Sequence, residues 1–328
     1  MTMATQDLAD ASVVSASAGV VGKSPGQLAW RRFRRDKLAM TSLVTVFFVI
    51  FLALAAPLIT RLFGVDPYTT NMDKVSTAGG LPLGRFGGIS WDHPLGVEPL
   101  TGRDLMARLL YGTRVSLVVA VSATTLTMFL GITIGLIAGY ARGWLDTLLA
   151  RFMDIVLSFP LLLIVLAMSP VLTQRLATVL PEGNPSRMGA LILMLSAFGW
   201  PYLARLVRGQ VISLREREFV EAAVSTGAST PRILRKELFP NLWAPLLVYV
   251  TLALPSYISA EAVLSYLGVG VLPPTATWGA MLADSVAFFY VVPTYLFIPG
   301  TALFITVVAF NILGDALNDA LDPRSQRA

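Results

Sequence analysis

The chain has 328 residues, of which 55% are hydrophobic and only 14% are charged, a composition that excludes an ordinary water-soluble globular protein. It has no cysteine and a single histidine, His93, which excludes disulfides, thiolate chemistry and multi-histidine metal or haem sites. We therefore expect no cofactor and no metal. The net charge of +5 is typical of basic loops beside a membrane and does not by itself indicate nucleic-acid binding.

Six stretches without a charged residue predict membrane-spanning helices. At a rise of about 1.5 Å per residue, a hydrocarbon core of about 30 Å is crossed by about 20 apolar residues. All six stretches are long enough, so we predict an all-α integral membrane protein with six transmembrane helices. They cover residues 38–60, 115–141, 155–174, 188–204, 242–260 and 285–314.

The part before the first span has two different compositions. Residues 1–26 are rich in Ala, Ser and Val and are predicted to form a disordered cytoplasmic tail. Trp30 and Phe33 then lie among five basic residues between positions 31 and 37. A short helix here would place its aromatic rings on the membrane surface and its cations toward anionic headgroups. Membrane lipid is therefore an expected partner, and residues 27–60 form one unit of surface helix and first span.

Lysine and arginine are distributed unevenly between the loops. With the N-terminus inside, the cytoplasmic parts 1–37, 142–154, 205–241 and 315–328 hold 17 of the 25 Lys and Arg residues. Because positive residues favour cytoplasmic loops, we predict that both termini lie in the cytoplasm. The remaining divisions are an external region at 61–114, a core domain of five transmembrane helices at 115–314 that includes the cytoplasmic loop 205–241, and a cytoplasmic C-terminal tail at 315–328.

Several predicted spans contain proline, among them Pro160 and Pro255. Each proline removes a backbone donor, a defect tolerated at membrane depth where neighbouring helices or water satisfy the freed carbonyl. Broken helices favour a translocation pathway, although proline in membrane helices also serves packing alone. Glu261, near the outer end of the fifth span, is either a pathway residue or a helix-end hydrogen-bonding group. Pro160, Pro255 and Glu261 are thus candidate pathway or gate residues, whereas His93 is expected to serve a turn or packing.

The loop at 205–241, between the fourth and fifth spans, has the pattern of two short helices joined by a sharp turn. Gly227 can adopt the left-handed conformation that ends the first helix, Thr230 can cap the second, and Pro231 suits the first position of the second helix. A DNA-reading helix-turn-helix is disfavoured, because that role needs a separate basic domain and this loop is held between two spans. The pattern therefore indicates a docking element.

The loop carries a short motif, Glu221-Ala222-Ala223, then Gly227, then Phe239-Pro240. It resembles the EAA signature of the permease subunits of ATP-binding-cassette importers, although Glu237 and Phe239 replace two apolar residues of that signature. A polar residue at the first of these positions is frequent in the peptide and nickel branch. The resemblance implies that Glu221, Ala222, Ala223, Gly227, Phe239 and Pro240 couple the chain to a cytoplasmic ATPase.

Three further segments resemble the second permease of dipeptide, oligopeptide and nickel importers. They begin at His93-Pro94-Leu95-Gly96, at Glu261-Ala262 and at Asn311. The resemblance implies a type I ABC importer permease fold in a bacterial cytoplasmic membrane. It also implies a second permease subunit, two ATPase domains or subunits and an external solute-binding protein as partners. ATP hydrolysis would belong to those partners, so this chain is not expected to be an enzyme.

Peptides are the first substrate expectation, with nickel or another small solute left open. A rival function is a stand-alone secondary carrier or channel, which is expected to place ionisable residues inside its spans. The predicted spans carry none. A membrane enzyme ranks lower, because the sequence offers no clustered acid, base and nucleophile.

Overall fold

The computed structural model describes residues 25–321, and all regular elements within that range are helical. The predicted tail at 1–26 lies outside the described residues except for its last two, which begin a helix. The helices are α1 (Pro25–Arg35), α2 (Lys37–Phe63), α3 (Leu105–Tyr140), α4 (Trp144–Leu157), α5 (Leu161–Leu176), α6 (Asn184–Leu214), α7 (Glu218–Ser225), α8 (Trp243–Tyr266), α9 (Trp278–Ser285) and α10 (Pro293–Leu321).

The number of spans agrees with the sequence prediction. Helices α2, α3, α6 and α10 are each long and apolar enough to cross a membrane, and so is the continuous helical segment Thr230–Tyr266 that ends in α8. Helices α4 and α5 qualify only as a pair, bent by 85° at the break between them. The third span is therefore a broken one.

Three predicted span boundaries are wrong. The helix of the second span, α3, begins at Leu105 rather than near residue 115, because Asp104 caps it by accepting the Ala107 N–H at 2.7 Å. The predicted span at 155–174 is divided before Leu161. The last stretch, 285–314, joins the end of one helix to another: α9 ends at Ser285, and α10 runs from Pro293 to Leu321, past the predicted start of the tail at 315.

The aromatic residues of α1 differ from the expectation that both lie on the membrane surface. Trp30 is exposed, but Phe33 is buried against Ala39, Ala316 and Ala320 of helices α2 and α10. Small side chains on the two long helices leave room for the phenyl ring. Helix α1 is therefore fixed to the helical bundle by one of its two rings.

Helices α3 and α6 approach each other along a line of glycines. A Cβ atom added at Gly135 would lie 2.7 Å from the carbonyl oxygen of Ala204, and one added at Gly139 would lie 2.6 Å from Cβ of Val211. Gly131 faces Leu203 in the same way. Residues four apart lie on one helix face, and small residues there allow close helix packing in membranes. The second and fourth spans thus form a tight pair.

Buried polar residues fasten the external region to the bundle. Glu98 forms an ion pair with Arg108 of α3 and accepts the Tyr295 hydroxyl of α10 at 3.2 Å. Burial raises the pKa of Glu98, an effect opposed by the Arg108 charge. Arg108 also donates through Nη1 to the Pro274 carbonyl at 2.9 Å. His93 is buried with Nδ1 2.9 Å from Asp104 Oδ2, in agreement with the expected turn or packing role.

Candidate coupling and translocation site

The predicted turn of the helical hairpin is present. Gly227 has a φ of +78° and donates its N–H to the Val224 carbonyl at 2.9 Å. The Ala228 N–H donates to the Ala223 carbonyl at 3.0 Å. These two bonds form the Schellman arrangement that ends helices at glycine, so the conformation predicted for Gly227 is confirmed.

The start of the second half of the hairpin differs by one residue. Ser229, with φ −69° and ψ 152°, occupies the capping position, while Thr230 is already helical, so the predicted Thr230 cap is wrong. From Thr230 the chain forms one helical turn, a π-helical stretch at Ile233–Leu238 and a 3₁₀ stretch at Phe239–Leu242, and then enters α8. The hairpin is therefore continuous with the fifth span.

Helix α7 has one buried side and one exposed side. Val220 is 2% exposed and packs in a cluster with Ile233 and Leu238, and Ala223 lies half-buried against the same cluster. The side away from Val220 is exposed, and we call it the docking face. It consists of Glu221, Ala222 and Ser225, whereas the exposed Val224 lies one helical turn after Val220 on the adjoining side.

Phe239 and Pro240 lie at the base of the hairpin. The Phe239 ring is half-buried, with its centroid 5.6 Å from that of Trp243 at the start of α8. Pro240 is exposed in the 3₁₀ stretch. These two residues thus mark the junction with the span, away from the docking face on α7.

Arg215 joins the entry of the hairpin to the end of the second span. Its Nη1 donates to the carbonyls of Gly139 at 2.9 Å and Ala141 at 3.1 Å, at the C-terminus of α3. Its Nε donates to Glu216 at 3.1 Å, and Glu216 also accepts from Arg142 at 3.1 Å. Unpaired carbonyls at a helix C-terminus attract cations. The chain between α6 and α7 is thereby bonded to the end of α3.

Two acidic residues fix the first half of the broken span to α6. Asp146 of α4 accepts both Nε and Nη2 of Arg208, at 2.6 and 2.9 Å. Asp154 of α4 pairs with Arg205. Two-pronged arginine–carboxylate pairs have a defined geometry, so α4 is held in one orientation beside the hairpin end of α6.

A cavity of about 740 Å³ lies at the break of the third span. Residues 156–161 form one wall, and residues of α6 and α8 form the rest. Tyr202, Tyr249, Ser256 and Tyr257 bring hydroxyl groups to this otherwise mostly apolar lining. The Tyr257 hydroxyl lies 2.8 Å from Thr127 Oγ1 of α3. An apolar space with a few placed polar groups suits a small polar solute.

The three candidate pathway residues lie in different places. Pro160 lines the cavity at the break. Pro255 is buried within α8 beside two lining residues but is not itself part of the lining. Glu261 is fully buried and accepts the hydroxyls of Ser116 and Ser265, each at 2.7 Å. Helix α8 extends past it, so this carboxyl lies inside a span, where it fastens α3 to α8.

Sequence reasoning missed the tyrosines of the cavity and the linkage by Arg215. Positions 249, 253, 256 and 257 follow helical spacing and share one face of α8. The sequence shows that periodicity. It does not show that the break in the third span faces these residues, and only that break makes them the wall of a cavity. No local signal relates Arg215 to the carbonyls near residue 139.

Comparison with protein families gives two matches. Residues 131–327 match the model of the binding-protein-dependent transport system inner membrane component. Residues 24–78 match the N-terminal TM domain of oligopeptide transport permease C. The two matches together span both ends of the described chain.

Curated relatives are similar over nearly the whole length. The chain is 37% identical to the dipeptide transport system permease protein of Alkalihalophilus pseudofirmus, over 92% of this chain and 90% of the relative. It is 36% identical to the oligopeptide transport system permease protein of Bacillus subtilis, over 90% and 88% of the two chains. It is also 36% identical to the glutathione transport system permease protein of Escherichia coli, over 92% and 91%.

Among solved structures, inward-facing MetNI methionine ABC transporter chains share the fold, with a TM-score of 0.52 at 21% identity. The match covers 66% of this chain and 98% of that one. The architecture is therefore that of a type I ABC permease, as the resemblance in the sequence implied. With family model, relatives and fold in agreement, the chain belongs to the inner membrane components of binding-protein-dependent transport systems, in the branch of the dipeptide and oligopeptide permeases.

Proposed function

We propose that this chain is one of two permease subunits of an ATP-driven importer that carries peptides across the bacterial cytoplasmic membrane. The observation that carries the proposal is the exposed docking face on a hairpin that is built into the spans on both sides. The names of the relatives, which specify dipeptides, oligopeptides and glutathione, support peptides as the substrate class.

One such chain alone would lack a closed pathway, a means of capturing the peptide and a source of energy, and each expected partner would supply one of these. The cavity opens at the surface of the chain, so a second, related permease would complete the pathway. An external solute-binding protein would deliver the peptide, and two ATPase domains or subunits would bind the docking faces of the two permeases. Both termini, and with them the hairpin, would lie in the cytoplasm, in accordance with the distribution of lysine and arginine.

Coupling would use the contacts of the hairpin. When the ATPases close on ATP, they push α7, and the continuous segment Thr230–Tyr266 carries the displacement into the fifth span. Arg215 carries it into α3, and the glycine contacts make α6 follow α3. Such rigid-body movements convert one access state to the other. The pathway would change from inward-open to outward-open, and hydrolysis would reset it.

A stand-alone carrier is less well supported. Such proteins use ionisable residues in their spans to bind the solute or a coupling ion. Glu261 is an acidic residue inside a span, but its two oxygens are occupied by Ser116 and Ser265 and it does not line the cavity. These hydrogen bonds favour a fastening role for the buried carboxyl over a binding one.

The test is a bulky substitution on the docking face. Ala222 is exposed, so Ala222→Trp preserves the packing of α7 while blocking close approach of a partner. We expect loss of uptake of labelled dipeptide, together with loss of the co-purifying ATPase, while the subunit still reaches the membrane. Thr147→Trp, an equally bulky change at an exposed position of α4, serves as the control. Undiminished uptake and ATPase association in Ala222→Trp would refute the proposal.

A further inference from the structure

A second cavity, of about 390 Å³, lies at the edge of the bundle under helix α1. We call it the edge groove. Its surface is almost entirely carbon, contributed by α1, α2, α8 and α10. The principal lining side chains are Trp30, Phe33, Leu43, Leu313 and Leu317.

The edge groove offers no hydrogen bond to an occupant. Its one polar side chain, Thr251, donates its hydroxyl to the Val248 carbonyl of its own helix at 2.9 Å. A peptide segment inserted here would leave its backbone groups without partners, at a high energetic cost. A hydrocarbon chain has no such groups. The lining therefore suits an acyl chain.

Helix α1 forms one wall of the groove. Phe33 is buried against α2 and α10, and the Trp30 ring stacks on it with centroids 5.9 Å apart and planes within 10°. The indole itself is 55% exposed, with one side toward the groove. A ring held in this way provides a preformed surface without the entropy loss of ordering a flexible side chain.

The same helix carries a concentration of positive charge. Arg31, Arg34 and Arg35 are exposed, and no ion pair involving them is present in the described part of the chain. The neighbouring acid, Asp36, is engaged in capping α2, where it accepts the Leu38 N–H at 2.8 Å. On a helix with 100° per residue, Arg34 flanks the face that bears Trp30. The groove thus has an apolar floor and a cationic border.

We infer that the edge groove and helix α1 form a discrete binding site for one anionic phospholipid. One acyl chain occupies the groove against Trp30 and Leu313, and the phosphate of the headgroup accepts hydrogen bonds from Arg34 and its neighbours. The charge of α1 selects an anionic lipid over a zwitterionic one. One acyl chain in a groove binds weakly, so binding of the lipid depends on both the acyl-chain contact and the attraction of the arginines for the headgroup.

The site is tested in the full chain assembled with its partners in nanodiscs of mixed phosphatidylglycerol and phosphatidylcholine. Bromine on the acyl chain quenches a tryptophan that it touches, and Trp30→Phe identifies the part of the signal due to Trp30. We expect brominated phosphatidylglycerol to quench Trp30 more than brominated phosphatidylcholine at equal content. Equal quenching by the two lipids would overturn the inference, and so would absence of quenching, which would mean that another protein surface covers the groove.

A charge variant tests the headgroup contact. Each surface arginine contributes about fivefold to binding of an anionic lipid, so the triple variant Arg31→Gln, Arg34→Gln, Arg35→Gln should weaken retention of phosphatidylglycerol by about a hundredfold. Native mass spectrometry counts the retained lipid. The control variant makes the same charge change at three exposed cations of the hairpin and should retain the lipid; it carries Arg232→Gln, Arg235→Gln and Lys236→Gln. Equal loss in both variants would show a general charge effect and overturn the inference.

Discussion

Removal of the Arg215 side chain should uncouple ATP hydrolysis from peptide import. Its guanidinium donates to two carbonyls at the end of α3, and the side chain is only 18% exposed. Hydrogen bonds from a charged group contribute about 1.5–3 kcal/mol each. Because the site is partly open to water, we take the lower figure, so the two bonds together contribute about 3 kcal/mol.

That free energy corresponds to about a hundredfold change in the population of the linked arrangement, at about 1.4 kcal/mol per tenfold. In Arg215→Ala the ATPases should still bind and hydrolyse ATP, because the docking face is unchanged. The number of peptides imported per ATP hydrolysed should fall at least about tenfold. Arg215→Lys retains a charged donor and should recover part of the ratio.

The assay measures labelled peptide and released phosphate in proteoliposomes containing the whole importer. Arg217→Ala is the matched control, because this substitution removes the same charge two residues along the chain. Arg217 is exposed at the start of α7. It should leave the ratio of import to hydrolysis unchanged. If Arg215→Ala imports as many peptides per ATP as the unaltered chain, the proposed linkage to α3 is refuted.

Three other substitutions test the packing described above. Gly135→Val should lower the free energy of unfolding in detergent by about 1–3 kcal/mol, because the larger side chain overpacks against α6. Gly209→Ala should not lower it, because the space around Gly209 is open. Equal melting temperatures of the two variants would contradict the close contact between α3 and α6. Arg108→Ala leaves the buried Glu98 carboxyl without its ion-pair partner and should lower the free energy of unfolding by about 3–5 kcal/mol. The double variant with Glu98→Gln should recover stability, as differential scanning fluorimetry can check. Tyr257→Phe should alter the apparent KM for peptide uptake without changing membrane insertion. An unchanged KM would show that the Tyr257 hydroxyl is not part of the translocation pathway.

The number of spans was predictable because hydrophobic length is a local property. Their ends were not, because an absence of charge does not mark where a helix begins. Arg108 and Arg114 are charged residues within α3, so a stretch defined by absence of charge began only at residue 115 and placed the start of this helix too late. Between α9 and α10, turn residues are as apolar as the helices they join, and the two were merged. The start of α3 and the division between α9 and α10 both depend on contacts between residues distant in the sequence.

The hairpin was predictable in outline because its turn depends on a residue that tolerates positive φ. Gly227 supplied that signal, while the one-residue error at Thr230 reflects two adjacent residues with equal capping ability. The pathway was less predictable. Pro160 marked the break correctly, yet the cavity exists only because α5, α6 and α8 meet there. Whether Glu221 and Ala222 contact an ATPase remains a prediction for the uptake experiment.

The 85° bend of the third span also has a consequence for the surrounding bilayer. With 16 residues, α5 is about 24 Å long at the usual rise, shorter than a hydrocarbon core of about 30 Å. Hydrophobic mismatch of this kind is relieved by local thinning of the bilayer or by covering protein. We therefore expect short-chain lipids or a covering subunit beside α5, and thicker membranes should favour the covering subunit.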